Sequence, residues 1–95
     1  MGNERISIMK IKKGFVVREI AGQSIVIALG EATKTFNGMI KLNDTGRVIW
    51  DMLSEGCERA DIVKRICDEY EADAATVEAD VDAFIKTLQG ANILE

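Results

Sequence analysis

The chain contains no histidine and no proline, and only two cysteines, among its 95 residues. Without histidine it has no side chain whose unperturbed pKa lies near neutrality. Cys57 and Cys67 stand ten apart, two ligands short of a structural zinc site unless carboxylates or a second chain contribute. Either thiol would need a separate base to act as a nucleophile, and nothing nearby has that character. The glycines form neither GxGxxG nor a P-loop, so no nucleotide cradle is expected. No run reaches the roughly 18 apolar residues of a membrane span. Residues 6–15 carry Lys10, Lys12 and Lys13 where a signal peptide would be apolar, and Ile6 replaces the Ser or Thr of a myristoylation signal. These absences lead us to expect a cytoplasmic protein with no metal, no cofactor, no membrane association and no catalytic residues. With no proline, no repeat and no low-complexity segment there is no linker, and 95 residues make one domain. Residues 1–13 stand apart as a flexible or additional N-terminal segment.

At 47% hydrophobic and 29% charged, the composition is that of an ordinary globule. Charge divides unevenly along it. Residues 1–50 hold eight Lys or Arg against four acids; with a net charge of −4 overall, residues 51–95 carry −8.

Residues 15–20 and 24–29 are rich in β-branched side chains and read as strands, with a turn around Gly22-Gln23. Residues 30–36 either extend this hairpin or loop out. Asn37-Gly38 supplies the positive φ angles of a tight turn, and Met39-Ile40-Lys41-Leu42 then alternates as a third strand, with Ile40 and Leu42 on one face. From Asp44 the period becomes helical. Asn43 or Asp44 caps a first helix, which carries Val48, Ile49, Met52 and Leu53 and stops near Gly56. A second carries Ile62, Val63, Ile66, Cys67 and Tyr70. A third, capped by Asp73 and stopped by Gly90, carries Val77, Val81, Phe84, Ile85 and Leu88. Cys67 reads as core filler and Cys57 as a reduced thiol in a loop. Ile93 and Leu94 form an apolar tail that packs back. The order βββααα contains no βαβ unit, which excludes a doubly wound sheet and predicts a winged-helix-like α+β domain with an antiparallel meander.

A winged-helix DNA-binding regulator is the rival function. Duplex binding rests on neutralising phosphates, yet the third helix carries Glu78, Asp80 and Asp82 against Lys86. The second adds Asp61, Asp68 and Glu69 against Lys64 and Arg65. Only Lys10, Lys12, Lys13 and Lys34, on the strand side, suit a phosphate backbone. In a meander, by contrast, the third strand has one free edge, and an extended peptide could add there. The third helix, last to pack, could border that edge, with Phe84 and Val81 as apolar sockets. Asp80 and Asp82, two apart, point in different directions.

The run Asn37-Gly38-Met39-Ile40-Lys41-Leu42-Asn43-Asp44-Thr45-Gly46, followed by Ile49-Trp50, Leu53 and Gly56, resembles the signature of the PqqD-like family. That family is named for a small protein of pyrroloquinoline quinone biosynthesis. The similarity continues through Ile62, Tyr70, the Asp73-capped helix with Val77, Asp80, Val81 and Phe84, and the Leu88 to Leu94 tail. Glu58-Arg59-Ala60 departs from the Thr or Ser frequent at the start of the second helix. The resemblance implies a non-catalytic recognition element that captures the leader of a ribosomally made precursor peptide and presents it to a modifying enzyme, often a radical S-adenosylmethionine protein. It implies that the leader adds beside Met39, Ile40, Lys41 and Leu42, against the helix over residues 76–89, with contacts from Val77, Asp80, Val81, Phe84 and Leu88. With the sequence ending at Glu95, the element is expected to act as a subunit separate from its maturase. No nucleic-acid partner is expected.

Overall fold

The structure, a computed structural model, describes residues 8–34 and 39–95. Strands β1 (Phe15–Ile20), β2 (Gln23–Ala28) and β3 (Ile40–Leu42) precede helices α1 (Asp44–Glu55), α2 (Arg59–Tyr70) and α3 (Ala74–Gly90). The strands form an antiparallel sheet in the order β1-β2-β3. This is the α+β meander-then-helices architecture that the change of period at Asp44 predicts. The segment after β2 is a 3-10 turn, Gly30–Lys34, and the expected Asn37-Gly38 turn lies outside the described residues.

Three boundaries differ from expectation, one being the end of β2 at Ala28 instead of Leu29. The β1–β2 turn is Ala21-Gly22, both at positive φ (53° and 79°), with Ile20 opposite Gln23. A two-residue turn of this mirror-image type matches the twist of the strands it joins, so β2 starts one residue before Ser24. Strand β3 is three residues long, Met39 falling just before it.

Alternation assigns the two faces of the sheet. Phe15, Val17, Val26, Ala28, Ile40 and Leu42 share the face that packs on the core. Arg18, Ile25 and Lys41 lie in register on the other. Ile25 is buried there too, flanked by two long side chains whose aliphatic stems can shield it.

Helix α1 buries Ile49, Trp50 and Leu53. It ends at Gly56, whose φ of 95° suits a glycine and whose N–H returns to the Met52 and Leu53 carbonyls. Helix α2 buries Ile62 and Ile66, with Val63 and Cys67 half-buried against the same core. Its start lacks Ser or Thr, but the Asp61 carboxylate accepts the Glu58 N–H at 3.3 Å, meeting one of the orphan donors. Helix α3 is capped by Asp73, which accepts the Thr76 N–H at 3.2 Å, and it buries Val77, Val81, Ile85 and Leu88.

Residues 9–12, just before β1, are tied into this core. Met9 and Cys57 exchange backbone hydrogen bonds of 2.8 and 3.0 Å. On the other side of the same segment, Lys12 N–H donates to the Ile93 carbonyl at 2.8 Å and Glu95 N–H to that of Lys10 at 2.8 Å. Residues 9–12 thus form a strap held between the α1–α2 connection and the C-terminal tail. The tail packs back as expected, with Ile93 fully buried. Cys57, expected in a loop as a simple thiol, is buried under the strap. Burial, with a smaller contribution from Asp61, pushes its thiol pKa up.

Candidate functional site

Among the described residues, strand β3 bonds to β2 alone, which leaves its other edge open. Which backbone groups face that edge follows from the sheet's own alternation. The Leu29 N–H donates to the Gly14 carbonyl at 2.7 Å, marking these opposed residues as a hydrogen-bonded pair. Bonded and non-bonded pairs alternate along an antiparallel ladder, which makes Arg18↔Ile25 a bonded pair and turns Ile25 toward β1. Ser24 and Val26 therefore turn toward β3 and bond Leu42 and Ile40. Lys41, opposite Ile25, is left with its N–H and C=O aimed at the open edge. No backbone partner for it is found among the described residues.

The strand passes into α1 without a linker, because Asn43 ends one and caps the other. Its Oδ1 accepts the Gly46 N–H at 2.7 Å, and its carbonyl accepts the Arg47 N–H at 2.9 Å. Gly46 is buried in the first turn. A Cβ there would meet Asn43 Oδ1 at 3.0 Å and the Phe84 ring at 3.5 Å. Glycine spares the Asn43 cap this close approach, while the Phe84 ring lies at ordinary contact distance, at a cost of about 1 kcal/mol in helix propensity.

Two depressions border this junction. One, of about 350 Å³, lies between α1 and α3 and is lined by Gly46, Ile49, Ala83, Phe84 and Thr87, with Asn43, Thr45 and Asp80. The other, of about 590 Å³, runs along β3 past Gln23, Ser24, Lys41 and Leu42. Asn43 and Phe84 line both, so the two meet at the β3–α1 junction and form one groove that begins at the end of β3. Arg47 stands beneath, donating to Ser24 Oγ at 3.3 Å and pairing with Asp51 at 3.1 Å.

The sequence-predicted residues divide between groove and core. Met39 and Lys41 are exposed, Ile40 is half-buried and Leu42 is buried. Asp80 and Phe84 line the groove. Val77, Val81 and Leu88, expected to contact the guest, lie on the core side of α3, 3, 0 and 0% exposed, and do not line this groove. Their spacing of 4 and 7 keeps them on the inward stripe of α3, while positions 80, 83, 84 and 87 face the groove. Ala83, Thr87, Thr45 and Gly46 are groove residues that sequence reasoning missed. Small and polar, they carry no hydrophobic periodicity; the signal available was the α3 face offset from the core stripe.

The acids of α3 are not equivalent. Arg59 grips Asp82 with two donors, at 2.5 and 2.9 Å, and reaches Glu78 at 3.4 Å. Its hydrogen bonds hold the Asp82 carboxyl below the usual range and raise the guanidinium's own pKa. Asp80 has no ion-pair partner among the described residues. Of the lysines that could have served a phosphate backbone, Lys12 donates to Asn92 at 2.8 Å and Lys34 pairs with Glu31 at 3.3 Å. No helix among the described residues is long and apolar enough to cross a membrane.

No match was found among curated proteins. The structure is similar to a solved chain described as TbiB1 in complex with the TbiA(beta) leader peptide, at 31% sequence identity and a TM-score of 0.71. The match covers 90% of this chain and 94% of that one. The family profile described as coenzyme PQQ synthesis protein D (PqqD) matches residues 16–94, which takes in the sheet from its second residue, all three helices and the whole groove. The chain belongs to the PqqD family.

Proposed function

We propose that this protein is a peptide-binding adaptor: it holds the leader segment of a ribosomally made precursor peptide as an added strand on β3 and presents the peptide to a modifying enzyme. The observation that carries this is the open edge of β3, with the Lys41 N–H and C=O directed outward beside a groove that reaches under Phe84. The similarity to a chain solved with a leader peptide supports the same reading.

Magnitudes apportion the roles. Two backbone hydrogen bonds at Lys41 contribute about 1–3 kcal/mol net, whereas a micromolar complex needs about 8 kcal/mol beyond the cost of association. The balance must come from side chains. Covering that balance together with an association cost of about 4–15 kcal/mol takes on the order of 400–900 Å² of buried apolar surface at about 25 cal/mol/Å². The edge thus fixes register and direction, and the groove supplies affinity through Phe84, Ala83, Thr87, Ile49 and the backbone of Gly46. Met39 and Ile40 flank the paired residue; Leu42, Val77, Val81 and Leu88 support the groove from the core.

Chemistry on the precursor falls to the partner enzyme, and a radical S-adenosylmethionine maturase is the kind we propose. The adaptor works in the cytoplasm as a single domain. A DNA-binding role gains nothing from the fold: α3, the reading helix of a winged helix, presents acids, and two of them are clasped by Arg59.

The test is an amide-shift titration with synthetic leader-length fragments of any short reading frame found beside the gene. Changes concentrated at residues 39–43, 45–49 and 80–87 are expected. Binding with no change at residues 39–43, or no binding by any leader-length fragment, would overturn the reading.

A further inference from the structure

Beyond the groove just described lies a third depression, which pairing to β3 does not use. It is small, about 120 Å³, and sits where the start of α1, the end of α2 and the first half of α3 meet. Its floor is Ile66, Val77 and Val81, all buried. Thr45, Tyr70, Thr76 and Asp80 complete its wall as polar residues, Tyr70 being 44% exposed and Asp80 exposed, and the Thr76 hydroxyl is turned to Asp73. Thr45 and Asp80 also line the groove between α1 and α3. The three depressions therefore run in series from β3, past Phe84, over Asp80, to Tyr70.

Resting on the adaptor reading, we propose that this terminal cavity is a specificity site: it takes one aliphatic side chain from the part of the guest beyond its paired residues, with a Lys or Arg of the guest placed on Asp80. Size and chemistry select the occupant. A dry apolar cavity of about 150 Å³ accepts a benzene-sized guest, so about 120 Å³ suits a Val, Leu or Ile side chain and excludes Trp. The floor offers no donor or acceptor to a polar side chain, which would lose its hydration there. Asp80 stands at the threshold between groove and cavity, and it is the α3 acid that Arg59 leaves alone: its neighbours Glu78 and Asp82 are both engaged. A cation crossing from groove to cavity meets that carboxylate first. Tyr70, an exposed aromatic with a polar tip, can close over the aliphatic group.

The experiment is a selection of yeast-displayed random 20-residue peptides against the wild-type protein, followed by calorimetry on the best synthetic peptide. Enriched peptides should share an aliphatic residue and a neighbouring Lys or Arg on one side of the stretch that pairs with β3. Replacing that aliphatic residue by Ser should weaken binding at least tenfold. Ala72→Leu, which fills the cavity from the α2–α3 connection, should do the same, and selection against Asp80→Lys should exchange the basic preference for an acidic one. The peptide-side substitution decides the matter even where a protein variant folds poorly. Enriched peptides that need Lys41 for binding but show no aliphatic preference would overturn the cavity site and leave the adaptor standing. Failure to enrich any peptide, or indifference to Lys41→Pro, would overturn the adaptor and the cavity site with it.

Discussion

Gly46 and Phe84 meet where α3 crosses the first turn of α1: a Cβ on Gly46 would stand 3.5 Å from the ring's Cε1. The same Cβ would stand 3.0 Å from Asn43 Oδ1, the acceptor that caps the helix. Gly46→Ala gains about 1 kcal/mol of helix propensity and strains a cap of about the same worth, so stability should change by less than about 1 kcal/mol. Gly46→Val adds a branch to the groove floor and should cut peptide affinity at least tenfold. Thermal melts and calorimetry on both variants check this.

Acid should loosen the α2–α3 clasp. Arg59 lowers the folded-state pKa of Asp82, so the pair's contribution is fully present above the unfolded aspartate value of about 3.9 and is lost as pH falls through the lower folded value. Both side chains are exposed, so the effect is small. Urea melts from pH 6 to pH 2 should show the wild type losing more stability below about pH 4 than Asp82→Asn does.

The hairpin turn carries a removable strain. Ala21 adopts φ 53°, a left-handed conformation that costs a residue with a Cβ about 1–2 kcal/mol and that Asn tolerates better. Ala21→Asn converts the turn to Asn-Gly and should stabilise by about 1 kcal/mol. That corresponds to about 4–8 °C in Tm for a domain of this size, read by differential scanning calorimetry, with peptide affinity unchanged.

Much of this was legible in the sequence because local chemistry and global fold agree. The β-branched content of residues 15–20, the Asp73 cap and Gly56 each mark an element boundary, and the structure has all of them; of the two candidate caps for the first helix, Asn43 is the one used. The β1–β2 turn was misplaced by one residue because Ala21 takes a conformation that its side chain disfavours; only the pairing of Ile20 with Gln23 reveals it. On α3 the apolar stripe was visible, but a stripe does not say which neighbour it faces. Val81 and Leu88 went to the core, whereas Phe84, one position off that line, reached the groove. The strap escaped because its Lys-rich sequence is held by backbone bonds to Cys57 and the tail, which leave no mark on side-chain pattern.

The central claim is that Lys41 pairs with the peptide through its outward backbone groups. Proline at this position leaves the bonds from Ser24 and Val26 to β3 intact, because residues 40 and 42 make them, and edge strands accept proline where the lost N–H faces outward. The decisive measurement is calorimetric titration of the precursor peptide into wild type, Lys41→Ala and Lys41→Pro, each with native circular dichroism. The account predicts that Lys41→Ala binds within about threefold of wild type and that Lys41→Pro binds at least tenfold more weakly, about 1.4 kcal/mol, the scale of one lost backbone hydrogen bond. Equal affinity for Lys41→Ala and Lys41→Pro would contradict it.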